Sequence, residues 1–317
     1  MSTRRILLTG GTGWVGGTLL KALREHHHDT MTAVRVASAK ADAQSVAMGS
    51  LDESPVWPQE LNNREVVIHL AARVHVMKET NSNPMRAFRA VNTTGTLSLA
   101  RLAARAGVRR FIFVSSIKVN GECTETGQPF TGADTPAPQD AYGISKMEAE
   151  QGLRQIANDT GMEVVIVRPP LVYGPRVKAN FASLMRAAQR GLPLPLARVT
   201  HNRRSFVALD NLVDLLVTCI DHPAAANQTF LVSDGEDLST ADLLRRLGHA
   251  MNKPARLFPV PPLLLQLGAN LLGKGDMAQR LLGNLQVDIS HTRDTLNWSP
   301  PISVDEGLRR AVAGLTP

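Results

Sequence analysis

The feature that most constrains the fold is a glycine-rich turn close to the start of the chain. A short apolar run over residues 5–9 ends at Gly10, and Gly13 and Gly16 follow as a helical pattern begins. In such a unit the first glycine permits the turn, the second admits a pyrophosphate, and the third lets helix and strand pack closely. The helix N-terminus then favours the anion. The sequence therefore predicts a bound dinucleotide; the alternative is a structural turn without a ligand.

Apolar runs alternate with helical patterns along the first half of the chain. Strands are predicted to begin near residues 5, 31, 66, 110 and 163, with helices after the turn, over 87–106 and over 140–160. This alternation is typical of β-α-β units, and the uninterrupted apolar runs indicate a sheet covered on both faces. Residues 38–63 are small and polar and are predicted to form a loop. We predict an α/β fold with a Rossmann-type, doubly wound parallel sheet.

The pattern changes after residue 174, where prolines and helical segments dominate. We predict a dinucleotide-binding domain over 1–174 with a return segment at about 205–234, and a smaller, mainly helical substrate-binding lobe over 175–204 and 235–317. Within this lobe, residues 259–272 are strongly apolar. They are predicted to form a buried helix. The alternative is an apolar patch for a membrane surface or a lipid-linked sugar.

Composition argues against several classes of function. The net charge is +7, but the arginine pairs are scattered and aromatic residues make up only 4% of the chain, which disfavours nucleic acid binding. The two cysteines, Cys123 and Cys219, form neither a disulfide framework nor a metal-ligand cluster. No apolar run is long enough to span a bilayer, and no signal-peptide pattern is present. We expect a cytoplasmic protein without metal.

Three residues in the first half of the chain suggest a catalytic site. Ser116 ends a predicted strand, and Tyr142 and Lys146 stand four residues apart on one helix face. A phenol has a pKa of about 10, but a nearby ammonium and an oxidised nicotinamide would favour the phenolate and lower that pKa. Ser116 could hold the substrate oxygen. The arrangement predicts hydride transfer at a secondary alcohol or ketone; the alternative is a surface pair.

These motifs resemble the extended short-chain dehydrogenase/reductases of the nucleotide-sugar epimerase/dehydratase group. The resemblance rests on the segments 9–16, 69–72, 92–96, 114–116, 142–146 and 168–175. It implies a cofactor site made of Gly10, Gly13, Trp14, Val15, Gly16, Leu70, Ala71, Ala72, Asn92, Tyr142, Lys146 and Pro169. It also implies a nucleotide-diphosphate sugar bound by Ser116, Asn180 and Arg204, and a homodimer formed through helices near 87–106 and 142–159.

The chain departs from this family at three places. Ile117 and Lys118 stand where dehydratases carry an acid pair, so dehydration is disfavoured. Arg35 stands where an acid would hold a ribose hydroxyl, and an arginine suits a 2′-phosphate, so NADP(H) is favoured over NAD(H). The alternative is an exposed arginine without a cofactor contact. Arg280 matches a family arginine only roughly and is not assigned to the site.

The resemblance gives a leading function and two alternatives. The leading one is NAD(P)-dependent reduction at C4 of a UDP-4-keto-6-deoxy-N-acetylhexosamine for surface polysaccharide synthesis. The first alternative is a 4-epimerase of UDP-hexoses or UDP-N-acetylhexosamines, including a lipid-linked sugar epimerase. The second is a non-catalytic regulator that binds a dinucleotide, which the intact Tyr142 and Lys146 disfavour.

Overall fold

The computed structural model describes residues 2–36, 44–53, 55–74 and 83–315. Seven described strands form one parallel sheet. They are β1 (Arg5–Thr9), β2 (Asp29–Val34), β3 (Ser45–Ala47), β4 (Val66–His69), β5 (Arg110–Val114), β6 (Glu163–Arg168) and β9 (Thr229–Leu231). Their order across the sheet is β3-β2-β1-β4-β5-β6-β9. The order reverses between β1 and β4, and ligands of such sheets bind at that crevice. The predicted Rossmann-type fold is confirmed.

Helices cover both faces of the sheet. The described helices of the chain are α1 (Trp14–Glu25), α2 (Pro84–Phe88), α3 (Thr96–Arg105), α4 (Ala141–Thr160), α5 (Ala179–Gln189), α6 (Leu209–Asp221), α7 (Thr240–Ala250), α8 (Pro262–Leu271), α9 (Gly275–Leu282), α10 (Ser290–Leu296) and α11 (Val304–Ala313). Side chains alternate along a strand, so Ile6 and Leu8 pack with α1 and α6 while Leu7 packs with α3 and α4. The central strands are therefore buried on both sides.

A second, two-stranded sheet lies outside the main one. It pairs β7 (Leu171–Tyr173) with β8 (Phe206–Ala208), also in parallel. Tyr173 and Phe206 belong to a separate apolar core beneath α5, α7 and α11. The buried Tyr173 hydroxyl donates to Asp234 Oδ2 at 2.7 Å, beyond the end of β9, and joins the two sheets. The domain boundaries given above remain a prediction.

Two local predictions were wrong in detail. The predicted loop over 38–63 contains β3, a three-residue edge strand that is too short to show an alternating pattern. The helix predicted over 87–106 is interrupted by a π-helical segment, Arg89–Gly95, between α2 and α3. A Cβ on Gly95 would overlap the Leu51 carbonyl, so glycine allows a close approach at this point.

The prediction of a buried helix over 259–272 was also wrong. α8 contains no buried residue, and its leucines are largely exposed. Leu265, on one side of α8, packs partly against the core that contains Tyr173. None of the described helices is long and apolar enough to cross a membrane.

Candidate active site

The glycine turn has the geometry that its sequence predicts. Gly10 has a φ of +72°, a conformation that glycine adopts without strain, and a Cβ there would lie 2.8 Å from the Ala71 backbone nitrogen. A Cβ on Gly16 would overlap the Gly10 carbonyl. Gly10 therefore brings the end of β1 against the segment Leu70–Ala72 that follows β4, and Gly16 lets α1 approach the turn.

The start of α1 fits an anionic group. Its N-cap is Gly13, which has no side chain to accept from the first turn, and that turn contains no acidic residue. Trp14 and Val15 open the helix, and the Trp14 indole donates to the Pro175 carbonyl at 2.7 Å. Backbone N–H groups of an uncapped first turn favour a pyrophosphate. The residues present therefore fit a dinucleotide.

Tyr142 and Ser116 lie together at the carboxyl end of β5. Asp140 caps α4 by accepting from the Gly143 backbone at 2.7 Å, and this fixes Tyr142 in the first turn. Ser116 follows β5, and its hydroxyl lies close enough to the Tyr142 phenol to lower the pKa of that phenol through hydrogen bonding. The structure thus brings the two predicted proton-handling groups close together.

The pKa of Tyr142 is not lowered in the protein alone, contrary to the expectation. Burial raises the pKa to about 12, the Asp140 carboxylate adds to this effect, and the hydrogen bond from Ser116 opposes it. The phenol is therefore protonated at neutral pH. It is ready to donate a proton, and a further positive charge is needed before it accepts one.

Lys146 is buried and does not act on the phenol in this structure. Its Nζ donates to the Val114 carbonyl at 2.8 Å and lies 4.4 Å from the centre of the Phe113 ring. Burial lowers the pKa of Lys146 to about 7, although Glu150 opposes the change. The shared helix face was predicted, but the ammonium points to the end of β5, so it does not lower the pKa of Tyr142.

A buried polar network holds α4 in place. We call it the α4 clamp, and it consists of Ser115, Asn120, Glu150 and Arg168. Arg168 donates to both Glu150 carboxylate oxygens, at 2.9 and 2.5 Å, and Ser115 donates to the same carboxylate at 2.6 Å. Asn120 accepts from Arg168 at 2.9 Å. The clamp ties α4 to the ends of β5 and β6, and sequence reasoning missed its acid.

Asn92 occupies the π-helical segment and is fully buried. Its Oδ1 accepts from the Arg73 backbone at 2.8 Å, and its Nδ2 donates to the Arg73 carbonyl and to Ser145 Oγ at 2.9 and 3.0 Å. These contacts link the segment after β4 to α4. The cofactor contact implied for Asn92 stays a prediction, since its polar atoms already bond to the protein.

Two predicted cofactor residues, Arg35 and Pro169, lie where strands of the sheet end, at their carboxyl ends. Arg35 follows β2 directly and is exposed, and β2 pairs with β1 up to Thr9, next to the glycine turn. Pro169 follows β6, and its carbonyl accepts from the Ile117 backbone at 3.0 Å. Pro169 therefore lies beside the Ser116 loop, as a residue near the nicotinamide should.

The predicted substrate residues are only partly described. Arg204 is half-buried and donates to the Gly283 carbonyl at 3.3 Å. Burial, followed by the charge of Arg280, lowers the pKa of Arg204 to about 10. Two nearby cations favour an anion such as a diphosphate, although the Glu122 carboxylate opposes the shift of Arg204, and we add Arg280 to the predicted substrate residues. Asn180 begins α5, and its side chain lies outside the described part of the chain.

Ile117 and Lys118, which stand where dehydratases carry an acid pair, have clear structural roles. Ile117 is buried, and Lys118 Nζ binds Glu122 Oε1 at 2.7 Å and Asp140 Oδ2 at 2.6 Å. Neither residue can supply the acid and base that elimination of water requires. The geometry agrees with the interpretation that this chain is not a dehydratase.

The model of the NAD dependent epimerase/dehydratase family matches residues 6–233. The chain belongs to this family. It is 52% identical to UDP-glucose 4-epimerase of Vibrio cholerae over 308 residues, which cover 97% of this chain and 94% of that protein. It is 26% identical to GDP-6-deoxy-D-mannose reductase of Pseudomonas aeruginosa, with 97% and 95% covered.

The fold has solved counterparts within the same family. The structure of UDP-glucose 4-epimerase with UDP-glucose from Thermotoga maritima covers 98% of this chain with a TM-score of 0.76, at 23% identity and with 97% of that structure covered. The family predicted from the motifs is confirmed, and this family member is an enzyme that uses a nicotinamide dinucleotide. The assignment of individual site residues stays a prediction.

Proposed function

We propose that this family member is a 4-epimerase of UDP-activated hexoses. The observation that carries the proposal is the proximity of Tyr142 and Ser116 at the carboxyl end of β5, in a chain that has the glycine turn and is 52% identical to a UDP-glucose 4-epimerase. This reverses the order of the two leading functions, because GDP-6-deoxy-D-mannose reductase is only 26% identical.

The residues of the chain can perform both half-reactions. When bound, an oxidised nicotinamide would be the hydride acceptor, and its positive charge would favour the Tyr142 phenolate, with the phenolic proton released to solvent. Tyr142 then takes the proton of the C4 hydroxyl. It returns the proton after the keto sugar has presented its other face to the nicotinamide. Ser116 holds the C4 oxygen, and Arg204 with Arg280 holds the diphosphate. The α4 clamp keeps Tyr142 at a fixed place during both steps.

Incubation without added cofactor distinguishes the two functions. We expect the purified protein to convert UDP-glucose or UDP-N-acetylglucosamine to the C4 epimer, measured by anion-exchange chromatography and NMR, because an epimerase regenerates its cofactor in each turnover. The control is the same incubation with protein stripped of bound dinucleotide. Absence of an epimer, with stoichiometric NADPH oxidation by a UDP-4-keto-6-deoxy-N-acetylhexosamine, would establish the reductase in its place.

A separate proposal concerns the cofactor: we infer that Arg35 selects NADP(H) over NAD(H). Arg35 is exposed at the edge beside the glycine turn, where it can donate to a 2′-phosphate. A hydrogen bond to a charged group contributes about 1.5 kcal/mol, or roughly tenfold in affinity. We therefore expect Arg35→Gln to raise the Kd of NADP⁺ about tenfold and to leave that of NAD⁺ within twofold, by calorimetric titration.

The matched control for Arg35 is another exposed cation outside the turn. Lys21→Gln, in the second half of α1, should leave both affinities unchanged, since Lys21 pairs only with the exposed Glu25. Equal losses for the two dinucleotides in Arg35→Gln would contradict the proposed preference.

A further inference from the structure

α8 presents its apolar side to solvent. Leu263, Leu264, Leu267 and Leu271 fall within an arc of about 100° on a helix of 3.6 residues per turn, and we call them the α8 face. Their exposed fractions are 78%, 58%, 59% and 89%. Surface helices of globular proteins turn such a stripe towards the core. Exposed apolar clusters of this kind mark interaction surfaces.

The rest of the described chain does not cover the α8 face. α8 is attached through Leu265, on another side of the helix, and it packs beside α9. Phe258, Leu272 and Met277, which are close to α8 in the sequence, are also exposed apolar side chains. The α8 face is therefore accessible to something outside this chain.

The sequence around the α8 face is mainly basic. From residue 253 to residue 276 the chain carries three basic residues and one acidic residue, Asp276 at the start of α9. The basic residues are Lys253, Arg256 and Lys274, all exposed, so cations stand before and after the face in the sequence. Leucines flanked by cations suit the boundary between anionic headgroups and acyl chains.

We propose that the α8 face binds the surface of an anionic lipid bilayer. Ten residues rise about 15 Å, so the helix lies in the headgroup region and does not cross the bilayer. A second copy of the chain fits less well. Two copies of α8 related by a twofold axis would bring cations against cations, because both ends of the helix carry basic residues. The bilayer supplies the opposite charge.

Vesicle sedimentation tests the proposal with the intact protein. We expect binding to extruded vesicles of phosphatidylcholine with one-quarter phosphatidylglycerol, weaker binding to pure phosphatidylcholine, and release by 0.5 M salt. The double variant Leu263→Asp/Leu267→Asp should lower the partition coefficient at least tenfold. Its thermal unfolding and its turnover of soluble UDP-sugars should match those of the wild type, because both leucines are exposed and outside the active site.

Matched variants distinguish vesicle binding through the α8 face from nonspecific hydrophobic adsorption. Val56→Asp replaces a residue that is 65% exposed elsewhere in the chain and should leave vesicle binding unchanged. Arg256→Gln/Lys274→Gln should reduce binding to the anionic vesicles alone. Failure of the wild type to bind either vesicle overturns the proposal. So does a lipid-free dimer that the leucine variants convert to a monomer, since a second copy would then cover the face.

Discussion

Tyr142→Phe is expected to lower kcat for epimerisation by about 10²–10⁴-fold, the range typical for loss of a general acid–base group. The phenol lies close to Ser116, and each half-reaction moves one proton at C4. Removing the hydroxyl leaves the ring, which packs edge-on to Phe88 at 6.1 Å between ring centres. Substrate and dinucleotide affinity should therefore change by less than threefold, which calorimetric titration would measure.

The chain contains a second tyrosine that serves as the matched control. Tyr173→Phe removes a hydroxyl that donates to the buried Asp234, so it should cost about 1–3 kcal/mol of unfolding free energy. Its kcat should stay within threefold of the wild type. A Tyr142→Phe enzyme that keeps more than a third of wild-type turnover would contradict the assigned role. Rescue of Tyr142→Phe activity at high pH would contradict it too.

Much of the fold follows from local patterns in the sequence. The glycine turn, the apolar strands and the helices α1 and α4 were predicted because each depends on neighbours a few residues apart. The edge strand β3 was not, since three residues carry too little pattern and its pairing with β2 is long-range. The π-helical segment was missed for the same reason: Gly95 packs against Leu51, which lies 44 residues earlier and outside any helical window.

The candidate site was predictable in composition but not in electrostatics. The motif spacing placed Ser116, Tyr142 and Lys146 in one region, and Ser116 does lie close to Tyr142. The directions of the side chains and the degree of burial decide the pKa values, and spacing contains neither. Lys146 therefore binds the Val114 carbonyl, and the pKa of the phenol is raised. Arg280 was left out because its proximity to Arg204 depends on the packing of the C-terminal helices.

The exposed α8 illustrates the limit of apolar content as evidence of burial. A leucine-rich helix is usually part of a core, and the segment 259–272 has the composition of one. Which side of a helix finds a partner depends on the surrounding elements. Of the α8 leucines, only Leu265 packs against the core that contains Tyr173, so the remaining ones stay exposed.

Glu150→Ala is expected to destabilise the fold by about 3–5 kcal/mol, because it leaves the buried Arg168 guanidinium without its counter-charge. The two side chains are 0% and 1% exposed, and the carboxylate accepts from Ser115 as well. Urea denaturation followed by circular dichroism would measure the loss. Glu148→Ala is the matched control on the same helix: its partner Arg89 is half-exposed, so the cost should stay below about 1 kcal/mol. Equal costs would show that the clamp is not the stabilising element.

The same substitution should also change the pH dependence of activity. Glu150 raises the pKa of Lys146 against the effect of burial, and that pKa is about 7 in the wild type. Neutralising the acid lets burial act unopposed, so the pKa of Lys146 falls, and its ammonium, a predicted cofactor contact, is lost at a lower pH. Glu150→Gln, which keeps the volume of the side chain, should therefore move the alkaline decline of kcat towards acidic pH. An unchanged pH profile in a folded Glu150→Gln enzyme would mean that the clamp supports α4 without affecting the pKa of Lys146.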